Sequence, residues 1–232
     1  SSFVFTAMHV PLHHIYTNEP EVDPDIEVHF PLVREFEGQP RQFFHRGQHV
    51  YAWVLSFLTF PVLWWADIVA AVSGWWFGPY GKMERPRWRE ALSFTLFKGI
   101  SAGLWYVLPY VLLPWETALA MQLLMIGGAG LMVQGTFALS HQNALAMDLA
   151  HEHRSPSRDW GVLQMRTTAD FQHTWWLPIT MFGGLGYQLE HHLFPTISYS
   201  RLGEIAPIVR QTCKEFGVPY HYYPTARLAL VA

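Results

Sequence analysis

Cysteine is almost missing from this chain: Cys213 stands alone among 232 residues. A single thiol excludes a disulfide framework within one chain and any multi-cysteine zinc or iron–sulfur site. It is compatible with a reducing compartment without proving one. Charge is scarce as well. Charged residues make up 14% of the sequence, against roughly 25% for an ordinary soluble domain. The formal net charge of -3 leaves no broad positive field, so nucleic acid is not an expected partner. No charged segment followed by an apolar stretch and a small-residue cleavage pattern opens the chain, so no secretory leader is read there. Two Glu-x-x-His motifs, the signature of soluble di-iron bundles, are absent. So is the His-Glu-x-x-His of zinc proteases.

What the chain does have is apolar and aromatic surface. Hydrophobic residues reach 50% and aromatics 16%, with 11 Trp, and Trp and Tyr favour the membrane–water interface. Residues 1–49 are polar and acidic and read as loop and short helix. Residues 50–77 are almost wholly apolar, interrupted by Pro61 and Asp67. Residues 78–98 form a basic connector with Lys82, Arg85, Arg87, Arg89 and Lys98. Two further apolar runs, 99–114 and 117–140, are separated by little more than Trp115-Glu116. The second is long enough to cross a bilayer, which takes about 20 residues, and the first would return as its antiparallel partner. Lys98 can snorkel at the mouth of that hairpin. A buried hairpin in a soluble protein would need a polar face, and these runs lack one. Every Lys and Arg lies outside 99–140, which puts the flanking segments on the cytosolic side.

Histidines are concentrated at the two ends. His9-x-x-x-His13-His14 and Gln188-x-x-His191-His192 each place two or three donors on one side of a helix, because i, i+3 and i+4 positions share a face. Imidazole suits iron, copper, nickel or zinc, so the two clusters together predict a multi-histidine metal site. If both serve one site they lie on the same membrane face, and an even number of crossings separates them. The 99–140 hairpin supplies two, so 50–77 must be in-plane, re-entrant or doubly crossing; Pro61, Asp67 and the Trp pairs favour an interfacial or broken helix. The expected fold is therefore an all-α integral membrane protein: a transmembrane helical hairpin, interfacial helices and a cytosolic histidine-rich metal-binding cap.

Gln188-Leu189-Glu190-His191-His192-Leu193-Phe194-Pro195 resembles the third histidine box of the membrane fatty acid desaturases. Gln in its first position is similar to the front-end group, which inserts a double bond between an existing one and the carboxyl end. His9-x-x-x-His13-His14-Ile15-Tyr16-Thr17-Asn18, followed by Asp23-Pro24-Asp25, resembles that family's second box and its continuation. Gln48-His49-x-Tyr51, Ser140-His141 and the stretches from Ala206-Pro207 to Gly217-Val218-Pro219-Tyr220-His221 also read like it. The resemblance covers nearly the whole chain, so residues 1–232 are read as one partial desaturase domain.

The resemblance implies two iron ions on the cytosolic side of a helical membrane domain, multi-pass and in the endoplasmic reticulum. It implies O2 as co-substrate, a fatty acyl lipid or acyl-CoA as substrate, and cytochrome b5 or a similar electron donor. Carried over position by position, the metal ligands would be His9, His13, His14, His141, His191 and His192, with Gln188 either ligating or orienting a ligand or a water. His141 can equally be a polar helix cap. Asp23 and Asp25 either fix imidazole tautomers or cap a helix. Gly183, Gly184 and Gly186 allow either close backbone approach to an apolar tunnel, lined from the hairpin and residues 175–187, or a simple turn.

There are departures too. The family's first box, of His-Asp-x-x-x-His type, precedes the second, and the chain starts at Ser1-Ser2-Phe3 without a Met, too late to contain it. A fragment is therefore expected, inactive alone. His45-x-x-x-His49 has a ligand spacing but lies on the wrong side of the second box. His151 and His153 sit among charged loop residues and read as solvated; His29, His173 and His221 carry no partner pattern. The His-Pro-Gly-Gly motif of a fused cytochrome b5 module is absent. Sphingolipid desaturation or hydroxylation on the same scaffold, and a catalytically incomplete membrane fragment, stand as the alternatives.

Overall fold

A computed structural model describes residues 9–20, 22–27, 31–36, 38–74, 86–143, 146, 159–171 and 184–231. The stretches around His29, His151, His153, His173 and Gly183, and most of 175–187, lie outside the described residues. A π-helical turn, His9–His13, runs straight into α1 (His14–Tyr16), and α2 (Pro24–Glu27) follows. Three long apolar helices come next: α3 (Phe43–Ser73), α4 (Trp88–Leu112) and α5 (Trp115–Ser140). After them stand α6 (Trp160–Thr167), β1 (Asp170–Phe171), α7 (Gln188–Leu193), α8 (Leu202–Phe216), β2 (Tyr222–Tyr223) and α9 (Ala226–Val231). The described chain is mostly helical, as expected, with one short addition. β1 and β2 pair in parallel, Asp170 opposite Tyr222 and Phe171 opposite Tyr223.

The chain divides into two compact units: Ser1–His9 with Phe43–Gln134, and Val10–Gln42 with Gly135–Ala232. The first unit holds α3, α4 and α5 as far as Gln134; these helices are 31, 25 and 26 residues long, each more than the roughly 20 that cross a bilayer. Their outward positions are apolar. Val72, Leu92, Phe97, Trp105, Val111 and Leu124 are all exposed, a surface that water does not tolerate at this extent and lipid does. The basic connector is shorter than the sequence predicts, because α4 already begins at Trp88. There the Arg87 backbone N–H donates to the Glu90 carboxylate at 2.7 Å, half of a capping box that starts the helix early.

The stretch 50–77 behaves differently from a simple break. Pro61 falls in the first turn of the segment Thr59–Ser73, where a missing N–H is not needed. The irregularity sits just before it, in a tighter 3-10 step at Ser56–Leu58. That step is pressed against α5: a Cβ added at Gly130 would overlap the Ser56 carbonyl, and one at Gly127 would overlap the Phe57 ring. A ring can turn aside but a backbone carbonyl cannot. Gly130→Leu is therefore expected to destabilise the first unit by roughly 1–3 kcal/mol or more, and Gly127→Ala by less, as read by thermal unfolding of the detergent-solubilised protein.

Lys98 does not merely snorkel. Its ammonium lies 2.9 Å from the Asp67 carboxylate, donates to the Trp64 carbonyl at 2.9 Å and stands 4.5 Å from the Trp64 ring. Asp67 explains itself through this partner: α3 carries a buried acid because α4 brings a partly buried base.

The second unit is held by two small cores. Leu139, Ala169, Phe171, Tyr223 and Ala229 form one; Met165, Leu189, Val209 and Cys213 form the other. Gly184 enters the turn before α7 with a φ of 77°, and a Cβ there would meet the Tyr199 carbonyl oxygen at 2.8 Å. Both facts require glycine. The Gly186 carbonyl accepts from the Phe171 N–H at 3.1 Å, so this glycine turn ties α7 to β1.

Candidate metal centre

Four histidine rings of the second unit pack against one another in its interior. His13 and His14 come from the first helix, His141 from the residue after α5, and His192 from α7. All four are at most 2% exposed. His13 lies 4.7 Å from His141 and 5.0 Å from His192, centroid to centroid. His141 and His192 are 4.8 Å apart, and His14 stacks on His192 at 4.2 Å with planes 8° apart. His191, half-buried, stands 4.7 Å from His14. Ligand-capable atoms of His13, His141 and His192 all lie within 4.8 Å of one another.

The first helix is anchored by the residues that follow it. Asn18 adopts a φ of 58°, a conformation Asn tolerates better than most side chains. From there its side-chain amide donates to the His141 and Thr167 carbonyls, both at 2.9 Å. Its backbone N–H donates to Asp23 at 2.7 Å, and Trp160 Nε1 donates to the His14 carbonyl at 2.9 Å. Asp23 is fully buried and lies 2.9 Å from His13 Nδ1; it also accepts the Asp25 N–H at 2.9 Å. Both roles considered for Asp23, orienting an imidazole and capping a turn, are thus filled at once. Asp25 is 3.3 Å from the same Nδ1. Burial opposes a charge on His13, but the two carboxylates outweigh it and raise its pKa to about 9. His192 goes the other way: burial and the neighbouring imidazoles hold it well below the usual histidine value, and so neutral.

The start of α7 is positioned by Asp170, which carries no sequence motif, together with Glu190 of the helix itself. Asp170 accepts the Leu189 N–H at 2.9 Å, an otherwise unpaired donor in the first turn of α7. The Tyr220 hydroxyl contacts Asp170 at 2.6 Å and Glu190 at 3.0 Å. Burial and mutual repulsion push the Asp170 carboxyl well up, and burial raises that of Glu190. The Arg210 guanidinium lies over the Tyr220 and Tyr222 rings at 4.8 and 5.0 Å. Gln164 is likewise unmarked in the sequence: it is fully buried, with Oε1 2.9 Å from His192 Nδ1.

The donor chemistry fits a metal ion. His13 is tied through Nδ1 to a carboxylate, which leaves Nε2 as its ligand atom, the pattern of metal-bound histidines. Gln188 places its amide 2.8 Å from His141 Nε2 and 3.3 Å from His192 Nε2; a cation there would select the amide oxygen. His141 is not an exposed helix cap but a buried member of the group. His9 opens the π-helical turn and belongs to the first unit. His45 and His49 lie at the start of α3, and among the described residues neither joins a group of three candidate ligands.

Residues 1–224 match the fatty acid desaturase family. The chain belongs to that family. It is 36% identical to an acyl-lipid (8-3)-desaturase of Physcomitrium patens, a match spanning 100% of this chain and 49% of the relative. It is 33% identical to a chloroplastic acyl-lipid (7-3)-desaturase of Chlamydomonas reinhardtii, over 97% and 44%. An sn-1 linoleoyl-lipid 6-desaturase of Arthrospira platensis is 30% identical, over 100% and 63%. The chain thus spans roughly half the length of these desaturases. No solved structure matches it.

Proposed function

We propose that this chain is the greater part of the catalytic domain of a front-end fatty acyl desaturase, an oxidoreductase. The observation that carries this reading is the convergence of His13, His14, His141, His191 and His192 with the Gln188 amide in one buried cluster, in a chain whose relatives are named desaturases. We assign the donors as His9, His13, His14, His141, His191 and His192, with Gln188 as the oxygen donor or the residue orienting one, and two iron ions as the metal. When bound, the metal supplies the oxidising power that no side chain has, using O2. In the net reaction one CH2–CH2 unit becomes a cis double bond. Its two hydrogens, with two protons and two electrons from outside, reduce O2 to two waters. The electrons would come from cytochrome b5 or a similar donor.

The chain's own residues have defined roles. Asp23 holds His13 with its proton on Nδ1, and Asn18 and Trp160 fix the backbone that carries His13 and His14. Asp170 and Tyr220 set the first turn of α7 and so the aim of His191 and His192. The burial of the rings excludes water from the reacting methylenes. For membrane topology, one shared site requires an even number of crossings between His14 and His141, while three helices are long enough to cross. We assign the crossings to α4 and α5 and an in-plane or re-entrant path to α3, with the histidine cluster cytosolic and the membrane that of the endoplasmic reticulum.

The test is expression of the full-length protein in a host fed an unsaturated acyl chain, with lipid products read by mass spectrometry. A loss of two hydrogens between an existing double bond and the carboxyl end is the expected result. A gain of oxygen would mark a hydroxylase, and a product only on sphingoid bases would mark the sphingolipid alternative. No product, together with no bound iron, would return the chain to a catalytically incomplete fragment.

A further inference from the structure

Gln164 lies on α6, a helix with no histidine and no metal motif, yet its side chain ends inside the cluster. Gln164 Oε1 is 2.9 Å from His192 Nδ1 and 2.9 Å from Thr17 Oγ1. Thr17 Oγ1 is itself 3.1 Å from His192 Nδ1. Counting protons decides how these three groups connect. A threonine hydroxyl has one proton, and its shortest contact, 2.6 Å to the His13 carbonyl, takes it. The Gln164 amide oxygen can only accept, so with that oxygen facing the ring the proton joining them sits on His192 Nδ1. That leaves Nε2 bare on the side of the Gln188 amide.

We propose that Gln164 is a positioning residue for the metal centre, a neutral acceptor that holds His192 in the tautomer with its lone pair on Nε2. The inference rests on the metal-centre reading above. Its counterpart on the other side of the cluster is Asp23, which does the same for His13 with a charged acceptor. The amide's other end bears on the point. Gln164 Nε2 is buried without a hydrogen-bond partner among the described residues, so the amide turned about, with its nitrogen towards His192, is the competing arrangement. An amide turned the other way would donate to Nδ1, move the proton to Nε2 and remove His192 from the donor set. The two orientations therefore make opposite predictions.

The full-length protein, stripped of metal, is titrated with Fe2+ and with Co2+ against a competing chelator, and the Co2+ complex is followed by visible absorption. Gln164→Leu, of similar size but with no acceptor, is expected to weaken binding by about 10–100-fold and to shift the Co2+ spectrum. Gln164→Glu keeps an acceptor and cannot donate, so it is expected to hold metal close to the wild-type affinity. Thermal unfolding of each metal-free protein reports folding separately. Where Q164L unfolds too easily to titrate, Gln164→Met carries the same expectation. Wild-type affinity and spectrum in Q164L or Q164M overturn the inference. So does a folded Q164E that loses metal, because an acceptor alone would then not be what His192 needs. A wild-type protein that binds neither ion overturns the metal-centre reading itself, a different result from either of these.

Discussion

His192→Ala in the full-length protein is expected to remove bound iron and take product formation below detection. The loss should exceed the roughly 10–100-fold typical of residues that only support a ligand. His192 touches more of the cluster than any other ring described: it stacks on His14 at 4.2 Å and meets His13 and His141 at 5.0 and 4.8 Å. Its removal opens a hole bounded by Gln164, Thr17 and Gln188, each of which loses a partner at once. A neighbouring side chain cannot fill that hole, because the surrounding polar groups are fixed by other bonds. His45→Ala serves as the matched control. It removes a histidine of similar burial that joins no candidate ligand group among the described residues, and it should leave iron content unchanged. Metal analysis of the purified proteins, beside lipid product analysis, checks both. Full iron content in H192A would end the assignment of His192 as a ligand.

Lys98→Met is expected to cost about 3–5 kcal/mol of stability, because it leaves the Asp67 carboxylate buried without its counter-ion. The side chains of Lys98 and Asp67 are only 12% and 11% exposed, so solvent screening does little to soften the loss. The double replacement Lys98→Met with Asp67→Leu removes both charges and should recover most of the stability, since apolar residues of similar volume often do as well as a buried ion pair. The coupling between the two sites, read from detergent or lipid-nanodisc unfolding of the two single variants and the double, is the measurable quantity. Additive losses would mean that the pair is not an energetic unit and that Lys98 is held by Trp64 alone.

Much of the histidine cluster could be read from the sequence because its rings come in motifs. Adjacent histidines at helical spacing are rare enough to stand out, and Thr17-Asn18 with Asp23-Pro24-Asp25 carries the resemblance further. In the folded chain each of those residues has its own place, with Thr17 between His13 and His192, Asn18 in its left-handed turn and Asp23 on His13. Gln164 and Asp170 are single polar side chains that nothing local marks, since their partners lie 28 and 19 positions away. Glu190 and Tyr220 stand inside motifs, but their contact with each other spans 30 positions, and no local pattern shows it. The long helices were legible from apolar length alone. Their starts were not: α4 begins at Trp88 because Glu90 closes a backbone bond, and α3 passes Pro61 because the tight step at Ser56–Leu58 comes first.

The pairing of β1 with β2 has a consequence for the order in which the protein is made. His13, Asp23 and His141 all precede α7 in the chain, yet α7 is steadied through Asp170 by Tyr220, and β1 finds its partner only at Tyr222–Tyr223. A nascent chain therefore carries two of its histidine groups before the support for the third exists. The support for the last pair of histidines is complete only when synthesis has passed Tyr223, so the closing of the four buried rings on one another is a late event in the life of the chain.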